Sequence, residues 1–436
     1  MNLVSKIFFF LSIILSFKLK AQEKLSLQEA VAIALENNYS IKLSKNNSTI
    51  NSNDVSLGNA GFLPSVTGNL TDLNQVQSSK VNLASGQTRE AINAATSNLN
   101  YGVGLNWRVF DGFQMFANYN RLKELEKLGE LNAKLTIQNT VADVINTYYE
   151  VVAQEKQYNA AQTALEVSVV RRKNAKSRYI IGKGSKLEFL SAQVDFNTDT
   201  TQLLRQEDLI FGAKIRLNDL MARDPKNQFT VEDNFNIDTT LQYETLAKLA
   251  ESQNPDLQSA IINQQIAKFN LQQIKGVRYP NLSLISGYNF QNATSPPTSF
   301  ALRSNSRSFN YGLTASINIF NGFQQNTAEK NAKLEIENGL LRINSTKQAV
   351  NSALLNAFQS YLTNKKLIEL EEKNVGLAQE NLNITLEKYR LGNIVPLELR
   401  EAQRNYIDAN VRYSNSLYLA KLSEISLKEI TGSLSL

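Results

Sequence analysis

Residues 100–114 read NYGVGLNWRVFDGFQ, and residues 310–324 read NYGLTASINIFNGFQ. The two stretches share their opening Asn-Tyr-Gly, a period-two alternation, and a closing aromatic residue followed by Asp or Asn, Gly, Phe and Gln. At the same offset of 210 residues, Tyr179-Ile180-Ile181-Gly182 recurs as Tyr389-Arg390-Leu391-Gly392. A constant offset over this distance indicates two copies of one structural unit.

The repeat also sets the predicted domain boundaries. Leu63-Pro64 matches Tyr279-Pro280 at an offset of 216, so the first copy holds six extra residues between Pro64 and Tyr101. We expect these residues to lengthen the hairpin loop of the first copy. The predicted organisation is a signal peptide at 1–21, a first repeat at 22–240 and a second repeat at 241–436.

Each copy predicts the same order of elements. Ser26 and Glu29 form a capping-box pattern at the first short helix, because each side chain can satisfy a backbone donor of the other residue. A Pro then opens a β-hairpin, and after Gly112 and Gly322 the apolar period changes from two to about 3.6, which predicts helix. The expected hairpins cover 65–110 and 281–320, the long helices 113–179 and 323–389, and the return helices 187–221 and 397–430.

The return strand of each hairpin alternates apolar and polar side chains, which is typical of an outer-membrane barrel wall. Tyr101, Trp107 and Tyr311 fall on the apolar face and are candidates for an interfacial aromatic girdle. A half-buried soluble sheet has the same period and is the alternative. Four strands cannot close a barrel, and open edges are not tolerated in lipid, so a barrel requires several chains to combine their strands.

The long helices are expected to be proline-free segments of roughly 100 Å. Their narrow apolar set, such as Val144, Tyr148, Val151 and Val152, is typical of coiled-coil-like packing with much of the surface in water. An extended structural coiled coil alone would leave the strands unexplained.

The N-terminal residues predict export. Lys6 precedes an apolar run from Ile7 to Phe17, and Ala21 stands at a plausible cleavage point before a polar stretch. A membrane anchor kept in the mature protein is the alternative. No other stretch reaches the ~20 consecutive apolar residues that a transmembrane helix needs, so any membrane span would be built from strands.

Composition excludes several classes of function. The 436-residue chain has no histidine and no cysteine, which removes Ser-His and Cys-His nucleophiles, thiol redox chemistry and most zinc, copper and haem ligation. Without the lysines of the signal segment, the net charge falls from +6 to about +3, too small to predict nucleic-acid binding. Carboxylate or lysine chemistry stays possible in principle, but we expect no enzyme, no cofactor and no metal site.

The duplicated order of elements, the Phe110-Asp111-Gly112 and Phe320-Asn321-Gly322 junctions and the two Tyr-x-x-Gly turns together resemble the TolC-like outer-membrane efflux family. The resemblance covers essentially the whole mature chain, although Tyr39 stands where a proline is common in the family. It implies an α+β membrane protein in which three chains each give four strands to a shared trimeric β-barrel. Below that barrel, long antiparallel helices would form an α-helical barrel, a tunnel across the periplasm.

The same resemblance implies a function and partners. The chain would be an outer-membrane exit duct of a tripartite efflux or type I secretion system, a homotrimer in contact with outer-membrane lipid. It would work with a periplasmic adaptor and an inner-membrane pump, either proton-driven or of the ABC type. The alternative is a soluble periplasmic adaptor or a structural coiled-coil protein of the envelope, although an adaptor usually shows one helical hairpin inside Gly-rich β domains.

By resemblance, the two Tyr-x-x-Gly elements lie at periplasmic tips where the adaptor docks. Gly182 and Gly392 can adopt the positive φ that ends a helix, so ordinary C-capping is the alternative explanation for both glycines. The candidate docking residues are Tyr179, Gly182, Lys183, Tyr389, Arg390, Gly392 and Asn393.

Glu398, Glu401 and Glu188 are candidates for the narrow periplasmic aperture, because acidic residues of the family that match the first two line this entrance. Glu398 and Glu401 are three residues apart and so share one helix face. Threefold symmetry would arrange six carboxylates in a ring that favours cations. Alternatively, Glu401 pairs with Arg404 and Glu398 is solvated. The first copy has Glu188 but Ser191 at the second position, so only the second copy carries the pair.

Overall fold

The computed structural model describes residues 23–434, so the predicted signal peptide lies outside the described residues. The chain divides into two compact units. The first contains the residues up to Lys45, Asn132–Leu257 and the residues from Thr346 onward, and the second contains Asn46–Leu131 and Gln258–Ser345. We call the first the helical unit and the second the sheet unit.

The elements alternate between short helices, hairpins and long helix pairs. The strands are β1 (Glu23–Leu25), β2 (Ser65–Asn82), β3 (Thr88–Phe110), β4 (Phe229–Val231), β5 (Asn281–Thr294) and β6 (Arg303–Ser316). The helices are α1 (Leu27–Asn37), α2 (Tyr39–Asp54), α3 (Leu57–Ala60), α4 (Gln114–Ile180), α5 (Lys186–Leu220), α6 (Tyr243–Gln253), α7 (Pro255–Gly276), α8 (Gln324–Arg390) and α9 (Pro396–Ile430).

The predicted internal duplication is confirmed in the helix lengths. The long helices α4 and α8 each contain 67 residues, and the return helices α5 and α9 each contain 35. Every boundary of α8 and α9 lies 210 residues after the matching boundary of α4 and α5. The observed bounds of these four helices differ from the expected ones by at most one residue.

The capping box expected at the first helix is also confirmed. The Ser26 hydroxyl accepts a hydrogen bond from the Glu29 backbone N–H at 3.2 Å, and the Glu29 carboxylate accepts one from the Ser26 backbone N–H at 2.9 Å. Hydrogen bonds from the backbone and hydroxyl of Ser26 lower the pKa of Glu29. The Glu29 carboxylate lies in the first turn of α1, where the helix dipole also favours negative charge.

Two asparagines at equivalent positions tie the short helices to the return helices. Asn38, between α1 and α2, donates its side-chain N–H to the Leu220 carbonyl at 2.8 Å. Asn254, between α6 and α7, donates to the Ile430 carbonyl at 2.8 Å. Leu220 and Ile430 end α5 and α9, so each asparagine satisfies a carbonyl that its helix leaves without an internal partner. The repeat thus extends to individual hydrogen bonds.

The core of the helical unit forms around α4. Val144, Tyr148, Val151 and Val152 are buried, as expected for a narrow apolar stripe. They belong to one cluster with buried side chains of α1, α5 and α9. Within residues 23–434, no helix is long and apolar enough to cross a membrane.

A small parallel sheet, which the sequence did not predict, lies against this core. Strands β1 and β4 pair, with Lys24 opposite Thr230. The Tyr148 hydroxyl donates to the Leu25 carbonyl at 3.1 Å and accepts from the Glu232 backbone N–H at 3.0 Å. Each strand has only three residues, too few for a period-two pattern to indicate it.

The sheet unit contains an antiparallel four-stranded sheet in the order β2-β3-β5-β6. The two hairpins share one register, because Leu70 lies opposite Tyr101 and Ser286 lies opposite Tyr311. These partners are related by the two offsets of the repeat, 216 for the first strand and 210 for the return strand. Strands β3 and β5 join the two copies, and β2 and β6 form the edges.

Two details of the hairpin prediction are wrong. The first hairpin does not have the longer loop, because residues 83–87 connect its strands and residues 295–302 connect those of the second. The extra residues instead extend β2 and β3. Strand β6 stops at Ser316, short of the expected end at 320, because its partner β5 begins at Asn281, directly opposite Ser316.

Candidate functional site

One face of the four-stranded sheet is apolar and exposed. Cross-strand pairing sets Val103 beside Tyr288 and Tyr288 beside Phe309, and a neighbouring row sets Tyr101 beside Phe290. The exposed apolar side chains of this face are Val66, Leu70, Tyr101, Val103, Trp107, Leu284, Tyr288, Phe309, Tyr311 and Leu313. A contiguous exposed apolar face of this kind marks a surface that lipid or another chain covers.

The three girdle candidates lie on this face in different surroundings. Tyr101 stacks on Phe290 with ring centroids 4.9 Å apart and ring planes 9° apart. Trp107 donates its indole N–H to the Phe62 carbonyl at 2.8 Å. Tyr311, on the edge strand, is 80% exposed. Amphipathic rings are suited to a lipid–water interface, and their role as a girdle stays a prediction.

The turns between the long and return helices are built alike in both copies. Gly182 and Gly392 have φ values of +73° and +80°. Lys183 donates its N–H to the Arg178 carbonyl at 2.8 Å, and the equivalent bond in the second turn measures 2.9 Å. This pattern is the Schellman motif that ends a helix. A Cβ at either glycine would have no heavy atom within 4 Å, so the left-handed backbone, and not a lack of space, accounts for glycine there.

Four of the candidate docking side chains, those of Tyr179, Lys183, Arg390 and Asn393, are exposed at these turns. Exposed apolar residues that were not among the candidates surround them: Ile180, Ile181, Leu187, Leu391, Val395 and Leu397. The sequence did contain a signal for them, since an apolar residue directly precedes each turn glycine. Each turn therefore presents an apolar surface mixed with polar and basic groups.

Tyr389 is different, and its prediction as a docking-surface residue is wrong. Its side chain is 3% exposed and belongs to a buried cluster with Val167 of α4 and Leu399 of α9. Burial raises the pKa of the Tyr389 phenol, and the nearby charge of Glu188 raises it further. The two copies differ here because α8 packs against α4 at this residue, whereas the counterpart Tyr179 is exposed.

Glu188 has partners within its own helix pair. It occupies the third position of α5, where the Ser185 hydroxyl accepts a hydrogen bond from its backbone N–H at 3.1 Å. Its carboxylate is 3.6 Å from the guanidinium of Arg178 and half-buried. Glu188 therefore contacts Ser185 and Arg178 of its own helix pair. Its role at an aperture stays a prediction.

Glu398 and Glu401 are exposed on the first turns of α9, while Leu399 between them is buried. Among the described residues, neither carboxylate has an ion-pair partner. Arg404, the alternative partner of Glu401, instead lies 3.9 Å from Asp408. Both carboxylates are therefore available on one face of the helix, which an aperture would require.

A buried polar network connects the first helix pair with the second. Asp199 of α5 accepts hydrogen bonds from Arg400 of α9 at 2.8 and 2.9 Å and from the Gln403 amide at 2.8 Å. The Ser168 hydroxyl of α4 also donates to Asp199, and Arg400 lies 3.7 Å from Asp195. Buried charges are tolerated when they are paired and hydrogen-bonded in this way. The sequence gives no sign of the network, because a polar residue on a helix does not reveal its partner.

Similarity to known proteins identifies the family. The family described as "Outer membrane efflux protein" matches residues 30–223 and 246–433, which include most of both copies of the repeat. The chain belongs to the outer membrane efflux protein family. The expected family and the expected location in the outer membrane are thus confirmed.

Two similar proteins are outer membrane proteins named TolC. The chain is 23% identical over 309 residues to outer membrane protein TolC of Vibrio cholerae, an alignment that covers 69% of each protein. It is 19% identical over 303 residues to outer membrane protein TolC of Salmonella enteritidis, covering 68% of this chain and 62% of that relative.

Solved structures share the fold at low sequence identity. The CmeC outer membrane channel of Campylobacter jejuni has a TM-score of 0.76 and 18% identity, over 93% of this chain and 85% of that one. The outer membrane protein VceC of Vibrio cholerae has a TM-score of 0.72 and 15% identity, over 93% of this chain and 96% of that one. These similarities confirm the duplicated fold of long helices and strands.

Proposed function

We propose that this efflux protein is the exit duct of a tripartite efflux or type I secretion system, a passive conduit across the outer membrane and the periplasm. The match of the outer membrane efflux family to both copies of the repeat carries the proposal. The exposed apolar face of the sheet supports it, because lipid stabilises a surface that water does not.

Three chains form one duct in this proposal. Each gives four strands to a shared β-barrel, and the long helices line a periplasmic tunnel. Within residues 23–434, the outer edges of β2 and β6 have no neighbouring strand. These edges support the oligomer, since a sheet edge in lipid would leave backbone groups without hydrogen-bond partners.

The partners of the duct are a periplasmic adaptor and an inner-membrane pump, either proton-driven or of the ABC type. The exposed apolar residues at the two turns support docking of the adaptor there, with Tyr179, Lys183 and Arg390 beside them. Glu398 and Glu401 line the periplasmic aperture and set its preference for cations. Opening follows when adaptor and pump dock.

Cell fractionation tests the proposal. The full chain, expressed in a Gram-negative host, is expected in the outer-membrane fraction as an oligomer that dissociates on heating in detergent. The purified oligomer is expected to conduct ions in a planar bilayer. A monomeric protein released with the periplasmic contents would contradict the duct and favour an adaptor or a structural coiled-coil protein.

A further inference from the structure

The exposed apolar face of the four-stranded sheet ends at a row of paired residues that contains its first charge. This row joins Leu70, Tyr101, Phe290 and Arg307, one from each strand. Between this row and the end of the strands that leads into the long helices, the paired residues on this face are all uncharged. The row therefore marks the level at which the face stops being apolar.

Beyond this row, toward the hairpin turns, the same face carries charge. The next row contains Asp72 of β2, and the row after it contains Arg303 of β6. Arg303 and Arg307 are four residues apart on one strand, so their side chains lie on one face. Four residues of a strand span about 13 Å. We call these two residues the arginine stripe.

The cost of charge in lipid indicates the level of the arginine stripe. An arginine on the lipid face of a barrel is destabilising at the middle of the bilayer and nearly neutral at its surface. From Arg307 to Ser316, the last residue of β6, the strand rises about 30 Å. At a strand tilt of about 40°, this length gives a height of about 23 Å, close to the apolar band of about 25 Å in membrane barrels. Arg307 therefore lies at one surface of the membrane.

The direction of the strands indicates which surface this is. The return strands end at Phe110 and Ser316, where the chain continues toward the long helices, and the hairpin turns 83–87 and 295–302 lie at the opposite end. In the proposed duct the long helices cross the periplasm, so the hairpin turns face the outside of the cell. Arg303 directly follows the second turn. The arginine stripe thus lies at the level of the headgroups of the outer leaflet.

Both guanidinium groups of the stripe are available to a ligand. Arg303 and Arg307 are exposed, and within residues 23–434 neither makes an ion pair or a side-chain hydrogen bond. Asp72 belongs to β2, at the far edge of the sheet. Because neighbouring strands are about 4.8 Å apart, its carboxylate is too distant to pair with either arginine of the same chain. A free guanidinium has a planar set of donors that matches a phosphate group.

We propose that the arginine stripe binds the phosphate groups of the glycolipid of the outer leaflet, lipopolysaccharide. This site rests on the outer-membrane duct of the proposed function and identifies the lipid that contacts it. Tyr101 and Phe290, in the row of Arg307, stack with ring centroids 4.9 Å apart. The acyl chains of the glycolipid pack on these rings and on the apolar face, while the phosphates accept hydrogen bonds from the guanidinium groups.

The spacing of the stripe favours this glycolipid over a phospholipid. Lipid A, the membrane anchor of lipopolysaccharide, has a phosphate at each end of a disaccharide, and two sugar rings separate these phosphates. Two arginines about 13 Å apart along one strand suit such a separated pair. A phospholipid such as phosphatidylglycerol has a single phosphate and can engage only one arginine at a time.

Binding of lipid A to the purified full-chain oligomer tests the site. Surface plasmon resonance with the immobilised oligomer in detergent measures the affinity for solubilised lipid A. Arg303→Gln with Arg307→Gln is expected to weaken this affinity roughly tenfold, because charge-assisted hydrogen bonds to phosphate are lost. Arg303→Lys with Arg307→Lys keeps the charge without the planar fork and is expected to weaken the affinity less.

A matched variant and two other lipids serve as controls. Arg205→Gln with Arg342→Gln removes two exposed arginines from α5 and α8, and it is expected to leave the affinity for lipid A unchanged. The wild type is expected to bind dephosphorylated lipid A roughly tenfold more weakly than lipid A. This comparison tests the ligand chemistry without any substitution in the protein. Phosphatidylglycerol is also expected to bind more weakly than lipid A.

The outcomes distinguish the lipid site from the duct. A loss of affinity in Arg303→Gln with Arg307→Gln but not in the matched control, together with weaker binding of dephosphorylated lipid A, supports the site. Equal affinity of these two variants, equal affinity for both forms of lipid A, or tighter binding of phosphatidylglycerol overturns the site and leaves the duct intact. A chain that stays monomeric outside the membrane fraction overturns both.

Discussion

Tyr148 shows how one side chain connects strands that the sequence does not reveal. The residue is 1% exposed. Its hydroxyl makes hydrogen bonds with the backbone of Leu25 in β1 and of Glu232, which directly follows β4. We expect Tyr148→Phe to lower the free energy of unfolding by about 1–3 kcal/mol, because buried backbone groups lose a partner. Urea unfolding in detergent measures this, with Tyr39→Phe at an exposed position as the control. Equal stability of Tyr148→Phe and the control would contradict the prediction.

The same tyrosine predicts a dependence on pH. Burial raises the pKa of Tyr148 to about 12, above the value of about 10 in the unfolded chain. A raised pKa means that the stabilising contribution is complete below about pH 10 and is lost as the pH rises toward 12. The stability difference between the wild type and Tyr148→Phe is therefore expected to shrink above about pH 10. A constant difference up to pH 12 would show that the hydroxyl does not carry it.

At the scale of elements, the Asp199 network predicts a coupling between the two helix pairs. Removal of Arg400 leaves the Asp199 carboxylate buried without its cation, which costs up to about 3–5 kcal/mol. We expect the double variant Asp199→Asn with Arg400→Gln to lose less stability than the sum of the single variants, by about 0.5–3 kcal/mol. Thermal or urea unfolding of all four proteins measures this difference.

A control variant distinguishes the coupling between Asp199 and Arg400 from the effect of removing any positive charge from α9. Arg404 lies one turn further along α9 and is exposed, so Arg404→Gln is expected to change stability by no more than about 0.5 kcal/mol. If the losses from Asp199→Asn and Arg400→Gln simply add, the two side chains do not stabilise each other and the prediction fails.

Elements that carry a long periodic signal can be predicted from the sequence. The sequence predicts the bounds of the two long helices and the two return helices to within one residue, because the repeat marks the ends of each with a glycine or a cap. The strands β1 and β4 could not be found, since each has three residues and its partner is far away in sequence. The end of β6 was missed because pairing, and not side-chain alternation, decides where a strand stops.

For the candidate site, exposure was harder to predict than position. Tyr179 and Tyr389 are equivalent in the repeat, yet the first is exposed and the second is buried. The two tyrosines differ in exposure because only Tyr389 packs against the other helix pair. Two identical Tyr-x-x-Gly motifs contain no information about this packing. The pairing of Asp199 with Arg400 is invisible for the same reason, because the first copy has Leu190 where the second has Arg400.

At the scale of the whole molecule, Glu398 and Glu401 predict the ion preference of the duct. In the oligomer, the unpaired carboxylates would concentrate cations at the aperture. We expect Glu398→Gln with Glu401→Gln to weaken block by a multivalent cation roughly tenfold in planar bilayers.

A control variant that loses the same charge elsewhere shows whether the block depends on these two glutamates in particular. Glu372→Gln with Glu380→Gln removes two other exposed carboxylates, on α8, and is expected to leave the block unchanged. If block and conductance stay the same when Glu398 and Glu401 are replaced, these residues are only solvated helix charges.

The equal lengths of the helices restrict how this protein can change by insertion or deletion. Seven residues added to α4 alone would displace its turn by about 10 Å, and they would also separate Asp199 from Arg400 unless α5, α8 and α9 grew as well. Point substitutions face no such requirement. Lineages of this protein are therefore expected to diverge widely in residue identity while gaining or losing helical turns only in coordinated sets of four.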